Sequence, residues 1–250
     1  MARLFLEDSM NIHIYRNKKE LDKAVADILI ESVMRNPKIT LGLATGSTPI
    51  GVYELLIKDH QMNHTDYAQV TNVNLDEYVK IGKNHPESYF SFMKKNLFDH
   101  INIQMTQVHL PDGEADDLDE ACKAYNAVLT DHTPDIQILG IGGNGHIGFN
   151  EPGTPFDVKT HIVKLAEKTR KDNARFFNTL DEVPKEAITM GIQNIMDAKK
   201  IILMASGANK AEAVKQMLSG PITEDLPASI LQNHPDVEVF IDKEAAKLIL

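Results

Sequence analysis

Residues 140–152 read Gly140-Ile141-Gly142-Gly143-Asn144-Gly145-His146-Ile147-Gly148-Phe149-Asn150-Glu151-Pro152, presenting one histidine among glycines. A histidine so placed has little core to pack into, and an imidazole held by a carboxylate suits proton shuttling near neutral pH. Glu151 is the carboxylate close in sequence, and Asn144 stands two residues before the ring. The first six residues also spell GxGxxG after an apolar run, the pattern of a dinucleotide-binding turn. Such a turn must feed straight into a helix, and here Gly148, Pro152, Gly153 and Pro155 forbid one. The acidic residue expected at the end of a second strand is also missing, since that stretch reads His161-Ile162-Val163-Lys164. Nicotinamide binding is set aside.

Two other loops carry chemistry. Asn74-Leu75-Asp76-Glu77-Tyr78 places adjacent carboxylates at a strand end. If one faces a pocket and the other solvent, the pocket carboxylate has a raised pKa and can take a proton from carbon beside a carbonyl. The alternative is a solvated turn. Leu43-Ala44-Thr45-Gly46-Ser47-Thr48-Pro49 runs from a strand into a helix. Proline suits the helix start, free backbone N–H groups lie there, and Ser47 and Thr48 add hydroxyls; helix dipole and geometry make this an anion site. A simple helix cap is its alternative, and the Gly-Lys-Ser/Thr of a Walker A loop is absent. Arg175 and Lys210 are the candidate cations for a phosphate. His60 and His64 lie four apart without a third ligand, so no zinc site is expected, and no serine sits in a G-x-S-x-G elbow.

These loops need a scaffold. Strand-length apolar runs fall at Asn11–Tyr15, Thr40–Ala44, Thr71–Leu75, Gln107–Leu110, Asp135–Gly140, Ile201–Ala205 and Glu238–Ile241. Helical spacing links Leu21, Val25, Ile28, Leu29 and Val33, and recurs over Pro49–His60, Glu87–Asp99, Asp119–Thr130, Asn209–Leu218 and Lys243–Leu248. The β-then-α rhythm predicts an α/β fold, an open and mostly parallel sheet with helices on both faces, three-layered and Rossmann-like in a modified form. In such a sheet ligands sit beyond the carboxyl ends of the strands. The 250 residues read as a single α/β catalytic domain, residues 1–9 as an N-terminal extension with Met10 an alternative start. Apolar residues make up 42%, charged residues 25%, and no run approaches the ~20 residues of a membrane span. A net charge of −10 argues against nucleic acid or a membrane as partner, so any phosphate site must be a local concentration of donors and cations. Cys122 is the one cysteine and reads as a buried helix residue; a cytoplasmic location fits best.

Together the motifs LATGSTP at 43–49, NLDEY at 74–78, HPESYFSF at 85–92, GIGGNGHIGFNEP at 140–152, ARFF at 174–177 and SGANKA at 206–211 resemble the glucosamine-6-phosphate deaminase family, within a group that includes 6-phosphogluconolactonase. The match runs from about Met10 to about Ile241. The resemblance implies conversion of glucosamine 6-phosphate to fructose 6-phosphate and ammonia in amino-sugar catabolism, without metal or nucleotide cofactor. It implies Asp76 as the enolising base, His146 for ring opening, and Glu151 to orient and tune His146. The substrate phosphate would lie on Gly46, Ser47 and Thr48 with Arg175 and Lys210 as counter-charges. Two departures stand out. Asn144 replaces an aspartate found in many members, which leaves Glu151 to stabilise an imidazolium. Where allosterically activated relatives carry basic residues, this chain has His161 and Val163, and a monomer or small homo-oligomer is expected. A lactonase, or a phosphosugar-sensing regulatory domain without turnover, are the rival readings. Phe149-Asn150-Glu151-Pro152 and Tyr78 favour the deaminase.

Overall fold

The computed structural model describes residues 2–5 (backbone only), 10–165, 177, 179 and 182–250. In chain order the strands and α-helices are β1 (Ala2–Phe5), β2 (Met10–Tyr15), α1 (Lys18–Arg35), β3 (Thr40–Leu43), α2 (Ile50–Asn63), β4 (Thr71–Asn74), β5 (Asp76–Tyr78), α3 (Tyr89–Asn96), β6 (Val108–His109), α4 (Leu118–Asp131), β7 (Ile136–Gly140), β8 (His161–Lys164), β9 (Glu186–Thr189), α5 (Ile192–Met196), β10 (Ile201–Ala205), α6 (Ala211–Ser219) and β11 (Val237–Asp242). The main sheet has the order β1-β2-β11-β10-β7-β3-β4-β6. Its strands run parallel except β1, which pairs antiparallel with β2 at the edge. Part of the segment read as an extension thus adds an edge strand.

Side-chain alternation on the central strands divides the core into two faces. Ile201, Leu203, Val237, Val239 and Ile241 face one cluster, which Tyr125 and Leu129 of α4 and Val214 and Met217 of α6 complete. Ile202, Met204 and Phe240 face the other, covered by Leu21, Val25 and Leu29 of α1 and Val52, Tyr53 and Leu56 of α2. Each fully buried aliphatic side chain contributes ~1.5–3 kcal/mol. The expected three-layer α/β fold is the one observed.

From β3 the chain winds outward through β4 to β6, then returns to the other side of β3 as β7 and continues outward to β10 and β11. The carboxyl ends of β3 and β7 therefore meet at the switch point, where doubly wound sheets take their ligands. A second sheet of order β5-β9-β8, antiparallel throughout, was not anticipated. It holds the segment after β4 and puts Asp76 opposite Thr189. Lys243–Leu248, expected to be helical, is a series of turns. The Asp242 carboxylate accepts the N–H of Ala245 at 2.8 Å as a helix cap would, and Ala246 donates to the Asp242 carbonyl at 2.9 Å, but the segment continues as turns.

Candidate active site

A cavity of about 570 Å³ opens at the switch point, lined by Gly46, Ser47, Thr48, Asp76, His146 and Lys210 together with an aromatic wall that includes Tyr78, Tyr89, Phe149 and Phe177. Three loops distant in sequence thus converge. Gly46 takes a φ of 84°, which turns the chain between β3 and α2. Pro49 caps α2, and the first turn of that helix carries no acidic residue to compete for an anion.

The 140–152 loop runs on without a helix as far as Thr160, as its glycines and prolines require. Its backbone folds on itself through Gly142 N–H to His146 O at 2.9 Å and Gly145 N–H to Gly142 O at 3.0 Å. Gly142 is needed for space, because a Cβ there would lie 2.3 Å from the imidazole. Nδ1 of His146 lies 2.7 Å from Asn144 Oδ1, and Asn144 Nδ2 donates to Glu151 Oε2 at 2.7 Å. A carboxylate can only accept, so Asn144 turns its amide N–H to Glu151 and its oxygen to the ring. Nδ1 must then carry a proton, which leaves Nε2 as the nitrogen not used inside the loop. Glu151 Oε2 is itself 3.5 Å from Nδ1. Glu151 therefore reaches the ring both by this direct contact and through Asn144.

Asp76 is buried, and neither it nor Glu77 faces solvent, contrary to one expectation for this pair. Glu77 accepts the N–H groups of Tyr78, Tyr89 and Phe90 at 2.8–2.9 Å, which ties β5 to the start of α3. Burial still holds its carboxyl above the usual range. The Asp76 carboxyl is pushed up to about 8, first by burial and then by the charge of Glu77. The two loops are joined from behind: Thr189 pairs with Asp76 across the small sheet, and its hydroxyl accepts the N–H of Phe149 at 3.2 Å.

Lys210 ends a 3₁₀ turn ahead of α6 and lines the cavity. Burial pushes its ammonium pKa down, and no carboxylate among the described residues pairs with it. Asp242 fixes the loop that carries it, accepting Ser206 Oγ at 2.5 Å and the Gly207 N–H at 3.0 Å. Arg175, the other expected cation, lies outside the described residues. His60 bonds the carbonyl of Thr65 and His64 caps α2, both structural uses. His161 and Val163 sit on β8, paired with Thr189 and Ala187. Tyr78 and Phe149 entered the sequence reading only as motif residues favouring the deaminase, and Tyr89, Phe177, Thr189 and Asp242 were not singled out, although Tyr89 and Phe177 lie in the HPESYFSF and ARFF motifs.

Residues 16–240 match the family model of glucosamine-6-phosphate isomerases and 6-phosphogluconolactonase. A glucosamine-6-phosphate deaminase of Halalkalibacterium halodurans is 52% identical over 231 residues, 92% of this chain and 94% of that protein. One of Clostridium perfringens is 48% identical, over 96% of this chain and the whole of the relative. Among solved structures, a monomeric glucosamine-6-phosphate deaminase superposes with a TM-score of 0.91 at 47% identity, covering 95% of this chain and 99% of that one. The 6-phosphogluconolactonase of Trypanosoma brucei, 20% identical with a TM-score of 0.76 over 98% of this chain and 100% of that one, shares the fold.

Proposed function

Because the chain belongs to the glucosamine-6-phosphate isomerase/6-phosphogluconolactonase family, we propose that it converts glucosamine 6-phosphate and water to fructose 6-phosphate and ammonia, acting as one catalytic domain. The observation that carries this reading is the convergence of a buried carboxyl, a tautomer-fixed histidine and the glycine-turned loop at the start of α2 on one cavity.

The phosphate sits on Gly46, Ser47 and Thr48 at the start of α2, with Lys210 and Arg175 as counter-charges. Binding there is remote from carbons 1 and 2 and supplies positioning. Nε2 of His146 moves the proton between the anomeric hydroxyl and the ring oxygen, opening the pyranose. Asn144 and Glu151 keep the proton on Nδ1 and disperse charge that builds on the ring. Asp76 then takes the proton from carbon 2 while a proton of the substrate's ammonium passes to O1, and the Asp76 proton is returned to carbon 1. The resulting imine at carbon 2 adds water and releases ammonia. A carboxyl at about 8 is well matched to proton transfer near neutral pH, and a cationic amino group at carbon 2 of the bound sugar would favour its carboxylate form. The monomeric state of the structural relative supports a monomer here. A phosphorylated sugar is too polar to cross membranes, which favours the cytoplasm, and no helix of the described residues is long and apolar enough to cross a membrane.

Purified protein incubated with glucosamine 6-phosphate, and separately with 6-phosphogluconolactone, tests the assignment. Ammonia release without lactone hydrolysis is expected; lactone hydrolysis without ammonia would transfer the chain to the other branch of its family.

A further inference from the structure

Lys18 opens α1, and all three ammonium donors are committed. Two contacts, 2.8 and 2.7 Å, go to the carboxylate of Asp22 one turn on, and a third, 2.9 Å, goes to the backbone carbonyl of Thr48. The next pair along the helix, Lys23 with Asp27, lies in solvent at 66% and 59% exposure, where such pairs contribute little. Asp22 differs, for its side chain is only 8% exposed. It packs against the first turn of α2, where a Cβ on Gly51 would fall 2.2 Å from Oδ2. Burial keeps its carboxyl above the usual range even with Lys18 alongside.

The target of this clamp is chemically pointed. The Thr48 carbonyl belongs to the peptide bond with Pro49, and proline has no N–H. That peptide can therefore offer an anion only the negative end of its dipole. Thr48 is confined on its other side by β7, where a Cβ on Gly140 would stand 3.3 Å from Oγ1. With the oxygen tied to Lys18, this carbonyl is turned to an ammonium and not left free to meet an anion.

We propose that Lys18, anchored by Asp22, is a positioning residue that holds the Thr48 carbonyl away from the phosphate subsite without touching substrate. The inference rests on residues 46–48 binding the substrate phosphate. Lys18→Met tests it through KM and kcat for glucosamine 6-phosphate and through competitive inhibition by inorganic phosphate. KM and the inhibition constant are expected to rise about tenfold with kcat within about twofold, and Lys18→Arg to recover part of the loss. Asp22→Asn keeps the ammonium but loosens its anchor, so it should move both constants the same way and serves if Lys18→Met does not fold. Unchanged constants in a folded variant, or a fall in kcat alone, would overturn the clamp. Ser47→Ala and Lys210→Met separate the two levels. If they weaken phosphate inhibition while Lys18→Met does not, the clamp alone is wrong. If none of the three does, the phosphate reading of the loop fails first.

Discussion

Asn144 is the acceptor for Nδ1 of His146, at 2.7 Å, and passes the contact to Glu151 through its own amide. A neutral group thus stands between the imidazole and the nearby carboxylate of Glu151. The arrangement fixes the tautomer by hydrogen bonding and leaves the electrostatic work to Glu151, 3.5 Å away.

Asn144→Asp brings a negative charge into direct contact with Nδ1 and so favours the imidazolium. The limb of the pH–rate profile that needs the neutral ring should move to higher pH. It would also set two carboxylates against each other where Asn144 now donates to Glu151, so a loss of activity is expected as well. Rates of ammonia release across pH for both proteins check this. Superimposable profiles would mean that Asn144 does not govern the ring.

The Asp76 carboxyl titrates near 8 in the free site, raised by burial and by Glu77. Since kcat/KM reports the free enzyme and kcat the complex, the acid limb of kcat/KM should fall near pH 8. The limb of kcat should lie lower, because an ammonium at carbon 2 of the substrate stabilises the carboxylate. Coincident limbs, or a kcat limb above that of kcat/KM, would contradict this electrostatic coupling.

The same shift affects stability. An acid whose pKa is raised on folding holds its proton in the folded state while the unfolded chain has already released it. Between pH ~4 and ~8 the unfolded state therefore binds fewer protons, and the contribution of Asp76 to stability falls as pH rises. Asp76→Asn removes that contribution. The difference in Tm, variant minus parent, should grow from pH 5 to pH 8 and level off above. A constant difference would show that Asp76 ionises as readily in the fold as outside it.

Glu77, by contrast, is an anchor. Glu77→Ala leaves three backbone N–H groups without their acceptor and removes a negative charge from the N-terminus of α3. A loss of about 3 kcal/mol is expected by denaturant unfolding, with Glu77→Gln between the two. An unchanged midpoint would rule out the anchoring role.

Much of this was legible in the sequence, for reasons the structure makes plain. The buried parallel strands announce themselves as apolar runs such as Ile201–Ala205, and the helices between them by their spacing. The irregular course of the loop was legible too, because glycine and proline around His146 exclude a helix there. The β5-β9-β8 sheet was not. Its strands are three or four residues long and carry charges such as Asp76, Glu77 and Glu186, and β5 is paired with β9 across more than a hundred residues. No local pattern encodes that pairing, and with it went the role of Thr189 in joining the two loops. Glu77 was missed as an anchor for a related reason: two of the three N–H groups it satisfies belong to a helix that starts twelve residues later.

Ammonia release by Asp76→Asn, measured beside the parent protein at saturating glucosamine 6-phosphate, tests the central claim most directly. An amide cannot take the proton from carbon 2, so kcat should fall by about 10³-fold or more while the variant stays folded and keeps its affinity for inorganic phosphate. A folded Asp76→Asn protein that releases ammonia at the parental rate would contradict the account.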